Sequence, residues 1–146
     1  MDEIDRTLLT ALVDDGRLSF QQLAARVHLS PNSTADRVRR LRQSGVLAGY
    51  HAELDLAKLG HSLGALTDVK LKESVDRHLF EQDLRGVAQV LGAIHTTGEF
   101  DYQLRIVTRN SEELQSVIDD LRRLGARDIQ SRIILGEVSF NPARLL

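Results

Sequence analysis

The chain has 146 residues, of which 42% are hydrophobic and 27% charged, with a formal net charge of −2 and an isoelectric point near 6.2. It contains no cysteine, which excludes disulfide bonds and thiolate metal sites, and its overall charge excludes a generally basic nucleic-acid coat protein. No apolar run reaches the roughly 18 residues of a membrane span, and the acidic N-terminus does not resemble a secretory signal, so we expect a cytoplasmic protein of two small domains.

The first predicted element is an amphipathic helix ahead of Gly16. Ile4, Leu8, Ala11 and Leu12 recur at helical spacing, which gathers them on one apolar stripe, and Gly16 is placed to end the helix. A stripe of this width must be covered by neighbouring elements. We therefore expect it to form a core with the two helices that follow.

Two short helices joined by a tight turn are predicted between residues 18 and 50. Ser19 followed by Gln22 is a capping-box signature, since both side chains can bond backbone groups that the first turn of a helix leaves unpaired. Ser30 then offers an N-cap, and Pro31 suits the first position of a second helix. The order of helix, tight turn and helix is typical of a DNA-reading unit.

The second of these helices carries a polar and basic surface. Ala35, Val38 and Leu41 are predicted to face inward, and four arginines lie within six residues. A charge run is often only a solvated helix face. Here the two caps and the tight turn favour a helix that enters the major groove of double-stranded DNA.

The arginines of this helix are assigned different roles by helical direction. Arg37 and Arg40 are assigned to base edges, whereas Arg39 and Arg42 are assigned to phosphates. Because the basic patch is local in a chain that is acidic overall, binding should be salt-sensitive and should need more than one copy. The predicted DNA-binding residues are Ser30, Asn32, Ser33, Thr34, Asp36, Arg37, Arg39, Arg40 and Arg42.

The second half of the chain alternates between strand and helix patterns. Residues 46–56 predict a strand or wing, and residues 59–64 predict a hinge. The elements that follow are a strand over 63–71, a helix over 75–84, a hairpin of strands over 87–97 and 102–107, a helix capped by Asn110, and a strand over 129–138. This βαββαβ order predicts a ferredoxin-like domain, in which two helices cover one face of four antiparallel strands.

The other face of that sheet is left uncovered by the predicted helices. A face carrying leucine and isoleucine would promote aggregation if it stayed in water. We therefore expect it to pair with a second copy of the chain, and a symmetric homodimer is the default arrangement.

The order of several short motifs resembles the Lrp/AsnC family of regulators, over essentially the whole chain. The matching motifs are Asp2 and Asp5-Arg6, then Asp15-Gly16-Arg17, Leu29-Ser30, Arg37-Val38-x-x-Leu41, and Gly45-Val46-Leu47-x-Gly49-Tyr50. One departure is Arg42, where the family usually has an acidic residue.

The resemblance implies an α+β protein that regulates transcription. It implies a winged helix-turn-helix domain over residues 1–48, a connecting strand and hinge over 49–61, and a ferredoxin-like domain over 62–146 that binds effectors and forms oligomers. In the family, dimers often assemble into octamers, and the effectors are small molecules, typically amino acids. No cofactor, metal or membrane partner is implied.

The stretch from Gly98 to Tyr102 is the predicted effector loop. Spacing alone favours an ordinary hairpin turn with a solvated acid. The resemblance favours effector binding instead, because the Gly-x-x-Asp-Tyr pattern matches the family's effector loop. The predicted effector-binding residues are Thr97, Gly98, Glu99, Phe100, Asp101, Tyr102 and Ser131.

The sequence shows no catalytic motif. The five histidines are spaced too far apart for a local metal site, and neither a glycine-rich phosphate loop nor a nucleophile elbow is present. An enzyme is nevertheless the alternative, because some proteins of similar appearance decarboxylate a tetrapyrrole on the same two-domain body. Such an enzyme would have less reason to keep an arginine-rich second helix, so a regulator without catalysis is favoured.

Overall fold

The computed structural model describes residues 1–146, which form two compact units. The first unit contains Met1–Glu53 together with Val138–Leu146, and the second contains Leu54–Glu137. Residues 138–146, which the sequence assigned to the C-terminal domain, thus group with the N-terminal helices. None of the helices combines the length and the apolar character that crossing a membrane requires.

Three helices build the first unit: α1 (Glu3–Asp14), α2 (Phe20–Val27) and α3 (Pro31–Gln43). The predicted caps of α2 and α3 are confirmed, since Ser19 accepts from the backbone of Gln22 and Ser30 from that of Ser33. A third cap was not predicted: Asp2 and Asp5 form a reciprocal capping box at the start of α1. The core of the unit is formed by Leu8, Ala11, Leu12, Leu23 and Val38.

A short C-terminal 3₁₀ helix, Pro142–Leu145, packs on α1 within this unit. The Asn141 side-chain amide donates to Asp14 Oδ1 at 2.7 Å, and the Arg6 guanidinium donates to the carbonyl oxygen of Leu146. These polar contacts explain why residues 138–146 group with the helices instead of extending the last strand of the sheet.

The predicted strand or wing over residues 46–56 is not formed. This segment has no regular secondary structure, although its alternating pattern is typical of a strand. The reason is that a strand requires a neighbour for its backbone hydrogen bonds, and none of the strands in this chain pairs with these residues.

The second unit has the predicted βαββαβ order. Its elements are β1 (Leu63–Leu71), α4 (Arg77–Leu84), β2 (Val90–His95), β3 (Tyr102–Thr108), α5 (Ser111–Arg123) and β4 (Ala126–Ile133). All strand pairs are antiparallel, and the order across the sheet is β2-β3-β1-β4. The main difference from the prediction is that β4 begins at Ala126 and ends at Ile133, well before residue 138.

One face of the sheet is covered by α4 and α5. Ala65 and Val69 of β1 and Leu104 and Ile106 of β3 are buried there, as alternation along antiparallel strands requires. They pack with α-helical side chains to form one core cluster that includes Phe80, Leu84, Leu114, Val117 and Leu121.

The open face of the sheet is mainly polar but includes Leu66 and Ile94, so it is less apolar than expected. Asp68 accepts hydrogen bonds from Gln103 Nε2 at 3.0 Å and Arg132 Nη2 at 2.6 Å. Arg105 makes two hydrogen bonds to Glu137, at 3.0 and 2.9 Å. Ile94 remains an exposed apolar side chain on this face. The leucine and isoleucine content of the strands does not show the register that places charged residues of neighbouring strands beside them.

Glu113 connects the start of α5 to two other segments. It accepts from the backbone N–H of Arg109 at 2.7 Å and from the Arg109 Nε at 3.2 Å, while Gln89 Nε2 donates to its other oxygen at 3.0 Å. These donors stabilise the ionised carboxylate, led by the backbone N–H of Arg109, and they lower the pKa of Glu113 from 4.5 to about 2.

We expect Glu113→Gln to destabilise the protein at neutral pH but not in strong acid. A carboxyl group with a lowered folded-state pKa contributes stability above its unfolded pKa, and this contribution is lost as pH falls from about 4.5 towards 2. Urea denaturation at pH 7, 4 and 3 should show a gap between the variant and the wild type that closes with acid. Glu112→Gln, a change at an exposed neighbouring carboxylate, is the control, and a gap independent of pH would contradict the assignment.

Gly125 should tolerate no side chain. Its φ of +110° is unfavourable for other residues, and a Cβ built on it would overlap Cγ2 of Val75. We expect Gly125→Ala to lower the free energy of unfolding by about 2–4 kcal/mol, from backbone strain and overpacking together. Gly136→Ala is the matched control, since nothing lies within 4 Å of the Cβ position there. Equal urea midpoints for the two variants would show that the local backbone relaxes freely.

Candidate nucleic-acid interface and effector loop

The inward stripe of α3 consists of Thr34, Val38 and Leu41, all buried. The sequence predicted Ala35 in place of Thr34 and counted Thr34 among the DNA contacts. That assignment is wrong, because Thr34 is 0% exposed and its side chain faces the core. The helix is turned slightly from the predicted orientation, so that positions 34, 38 and 41 share the buried side.

Arg37 lies beside the buried stripe and is engaged within the protein. Its Nη1 donates to Asp2 Oδ2 at 2.7 Å and to Asp5 Oδ1 at 2.9 Å, and only 21% of its side chain is exposed. These hydrogen bonds, first to Asp2 and then to Asp5, raise the pKa of Arg37. The pKa of Asp2 is lowered, chiefly by the backbone N–H of Asp5 and then by Arg37. Arg37 thus joins α3 to the capping box of α1.

The outward face of α3 contains Asn32, Asp36, Arg39, Arg40 and Gln43, and all five are exposed. At about 100° per residue they lie opposite the buried stripe. Arg39 therefore points outward, contrary to its predicted place near the inward edge. Asp36 Oδ1 accepts from Arg39 Nη1 at 2.5 Å, whereas Arg40 forms no ion pair. Gln43 was missed by the sequence reasoning, although helical periodicity already placed it on this face.

The remaining predicted DNA contacts lie at the two ends of α3. Ser30 and Ser33 share a hydrogen bond between their hydroxyls at 2.8 Å, and both belong to the N-terminal cap. At the other end, the guanidinium of Arg42 lies over the ring of Tyr50, with 5.8 Å from Cζ to the ring centroid. The outward face is therefore left with Arg39 and Arg40 as its two arginines.

The predicted effector loop connects β2 to β3. Gly98 has a φ of +116°, so the loop requires a glycine at this position, and Thr97, Gly98 and Glu99 are exposed. Asp101 is bonded to β1 through both its side chain and its backbone. Its Oδ2 accepts from the N–H of Leu71 at 2.8 Å, and its N–H donates to the carbonyl of Val69 at 2.9 Å. Its other carboxylate oxygen has no partner within the protein.

Two residues predicted for the effector site have structural partners. Tyr102 is 2% exposed, and its hydroxyl donates to Glu81 Oε1 at 2.5 Å. Burial, followed by this hydrogen bond, raises the pKa of Tyr102. Ser131 shares a hydrogen bond with Thr67 at 2.9 Å on β1, and β1 separates its strand from β3. Within one chain, the fold does not bring Ser131 to the exposed loop.

A groove between α4 and β2 was missed by the sequence reasoning. Its volume is about 450 Å³, and its lining includes Glu81, Arg85, His95 and Tyr102. The His95 ring lies 5.1 Å from the Tyr102 ring. Residues of both charge signs therefore line one concave surface. No local sequence motif could have shown this, because the residues come from three separate elements.

Both halves of the chain match known protein families. Residues 1–42 match the AsnC-type helix-turn-helix domain, and residues 64–143 match the Lrp/AsnC ligand binding domain. The Bkd operon transcriptional regulator of Pseudomonas aeruginosa is 34% identical over 147 residues, which cover 98% of this chain and 96% of that protein. The regulator FL11 of Pyrococcus horikoshii is 31% identical, over 82% of this chain and 78% of its own length.

Solved structures show the same two-unit fold. A transcriptional regulator of Neisseria meningitidis in complex with L-Met superposes with a TM-score of 0.90 at 29% identity, covering 100% of this chain and 99% of that one. LrpC of B. subtilis gives a TM-score of 0.88 at 26% identity, covering 95% and 97%. The predicted α+β fold, with its helix-turn-helix unit and ferredoxin-like unit, is thereby confirmed. The chain belongs to the Lrp/AsnC family of transcriptional regulators.

Proposed function

We propose that this regulator reads double-stranded DNA with the outward face of α3 and that its C-terminal domain responds to an amino acid. The observation that carries the first part is the exposed face of Asn32, Asp36, Arg39, Arg40 and Gln43. It begins at a well-capped helix N-terminus and lies opposite a buried stripe, as a helix entering the major groove requires. In a chain of net charge −2, this face supplies a local site of attraction for DNA.

We assign the arginines of α3 different roles from those that helical direction suggested. Arg40 is exposed and forms no ion pair, so its guanidinium is free for a phosphate. Arg37 holds Asp2 and Asp5 and acts by keeping α3 in place. Ser30 caps the helix by accepting from the Ser33 N–H, and we place this capped N-terminus of α3 near the DNA backbone.

The amino-acid effector is supported by the match to a ligand binding domain and by the L-Met complex of the structural relative. We place the effector at the loop from Thr97 to Tyr102, where Gly98 leaves backbone donors accessible and Asp101 has one free oxygen. Backbone N–H groups suit the carboxylate of an amino acid, and an acid suits its ammonium group. Ser131 joins this site only through rearrangement or through a second subunit.

We further propose that the C-terminal domain forms a homodimer and that dimers assemble into octamers. The open sheet face carries both signs of charge, with Asp68 and Glu137 beside Arg105 and Arg132, so two copies could meet with opposite charges in contact. Leu135, which is 97% exposed, adds an apolar group that a partner would cover. Two copies would also double the number of DNA contacts.

Arg40→Ala and Arg37→Ala should have separable effects. We expect Arg40→Ala to weaken binding to operator and scrambled DNA alike and to reduce the salt slope of log K by about one, as for the loss of one phosphate contact. Its melting temperature should equal that of the wild type. Arg37→Ala should lower the melting temperature, because Asp2 and Asp5 lose their partner. Binding isotherms across a salt series measure the effect on DNA affinity, and thermal melts measure the effect on stability. An Arg37→Ala protein that is as stable as the wild type but has lost its preference for operator DNA would show that Arg37 contacts a base.

Asp101→Asn should weaken effector binding without disrupting the loop. The amide oxygen can still accept from the Leu71 N–H, whereas the negative charge that would meet an ammonium group is lost. Calorimetric titration of the wild type with the common amino acids identifies the effector, and Glu99→Gln is the control in the same loop. If Asp101→Asn binds as the wild type does while Glu81→Gln does not, the effector lies in the groove between α4 and β2. If no amino acid binds the wild type, the effector class is wrong.

A further inference from the structure

We propose that Asp36 is a positioning residue that aims Arg39 at a guanine, so that this pair sets the sequence preference of the regulator. The inference rests on the proposed function, in which the outward face of α3 binds DNA. The two side chains lie one turn apart, and Arg39 Nη1 donates to Asp36 Oδ1 at 2.5 Å. Both are 64% exposed, so nothing in the folded chain stands between them and a ligand.

The other arginines of α3 do not fit this role. Arg37 is bound to Asp2 and Asp5, and Arg42 lies over Tyr50 at one flank of the helix. Arg40 faces outward without a partner that would fix its direction. A long side chain held in one direction loses less conformational freedom when it binds. Arg39 is therefore the arginine of this helix that is both outward and oriented.

An acid on the outward face calls for an explanation, since a carboxylate repels DNA phosphates. Asp36 caps no helix and is not packed in the core; its hydrogen-bond partner is Arg39. An exposed pair of this kind contributes little to folding stability. Its effect would arise at the DNA surface, where water is displaced and the carboxylate both orients the guanidinium and discourages its contact with phosphate.

The geometry of the guanidinium favours guanine. With Nη1 directed at Asp36, the edge formed by Nε and Nη2 remains available. Two parallel N–H donors match the O6 and N7 acceptors of guanine in the major groove, which no other base presents together. Adenine offers one acceptor and one donor at these positions, so it would leave one N–H unpaired.

Asn32 extends this reading along the same face. It lies seven residues before Arg39, which corresponds to about 10 Å along the helix axis. An asparagine side chain pairs well with the N6 and N7 edge of adenine. The preferred half-site should therefore contain a guanine, read by Arg39, and a separate adenine, read by Asn32.

The test is selection of bound duplexes from a random library with the full-length protein. Wild type, Asp36→Ala, Asp36→Asn, Arg39→Ala and the double variant Asp36→Ala with Arg39→Ala are compared. We expect the wild type to enrich one guanine whose preference over other bases falls at least about fivefold in Asp36→Ala and in Arg39→Ala. Asp36→Asn, which keeps an acceptor oxygen, should restore part of the preference. Affinity of Asp36→Ala for scrambled DNA should increase, since a negative charge that repels phosphates has been removed.

Further outcomes separate this mechanism from its competitors. In the Arg39→Ala background, Asp36→Ala should have no additional effect on base preference, because Asp36 acts through Arg39. A further loss there would mean that Asp36 reads a base itself, for example the N4 amino group of cytosine, and would overturn the proposal. Equal changes of affinity on all sequences would overturn it too. If the wild type enriches no sequence at all, the proposed function fails and this inference fails with it.

Discussion

The ion pairs of Arg37 with Asp2 and Asp5 constrain the orientation of the recognition helix. The two acids are the capping box of α1, so the same carboxylates satisfy backbone donors of one helix and hold the next-but-one helix in place. The three-helix unit is small, and a core of this size gives only marginal stability by itself. A charge-assisted link at its edge therefore reinforces the orientation of α3 that its buried stripe favours.

The C-terminal unit contains a comparable polar link. Asp101 lies within the proposed effector loop, and both its carboxylate and its backbone bond to the end of β1. The loop and the central strand of the sheet are consequently coupled. A ligand ammonium group on the free oxygen of Asp101 would act on the same carboxylate that accepts from the Leu71 N–H, and this shared group offers a physical route from ligand binding to a change in the sheet. With the effector at the proposed site, ligand binding and domain stability would be linked through one side chain.

Much of the fold was predictable because local signals agreed with each other. The caps at Ser19 and Ser30 indicate where α2 and α3 begin. The βαββαβ order follows from the alternating strand patterns and from the apolar stripe of α5. The strand over residues 46–56 was not predictable, because alternation shows that a segment can pair and does not show that a partner exists. The exact start of β4 depends on its register with β1, which is a long-range property.

The site was harder to predict than the fold. A rotation of α3 by a fraction of a turn exchanges Ala35 for Thr34 in the core and exchanges Arg37 for Arg39 on the outward face. Periodicity cannot resolve such a rotation in a helix with so many arginines. The partners of Arg37 lie more than thirty residues away in sequence, so the decisive contact is tertiary. The groove between α4 and β2 was not predicted for the same reason, because its lining residues come together only in the folded chain.

The distribution of tyrosines gives each unit its own optical reporter. The chain has no tryptophan and two tyrosines, Tyr50 in the first unit and Tyr102 in the second. Tyr50 is 44% exposed beside Arg42, whereas the buried Tyr102 hydroxyl is bonded to a carboxylate, an arrangement that quenches phenol emission. Intrinsic fluorescence of the native protein should therefore come mainly from the DNA-reading unit, and new emission on denaturation should report the opening of the effector unit.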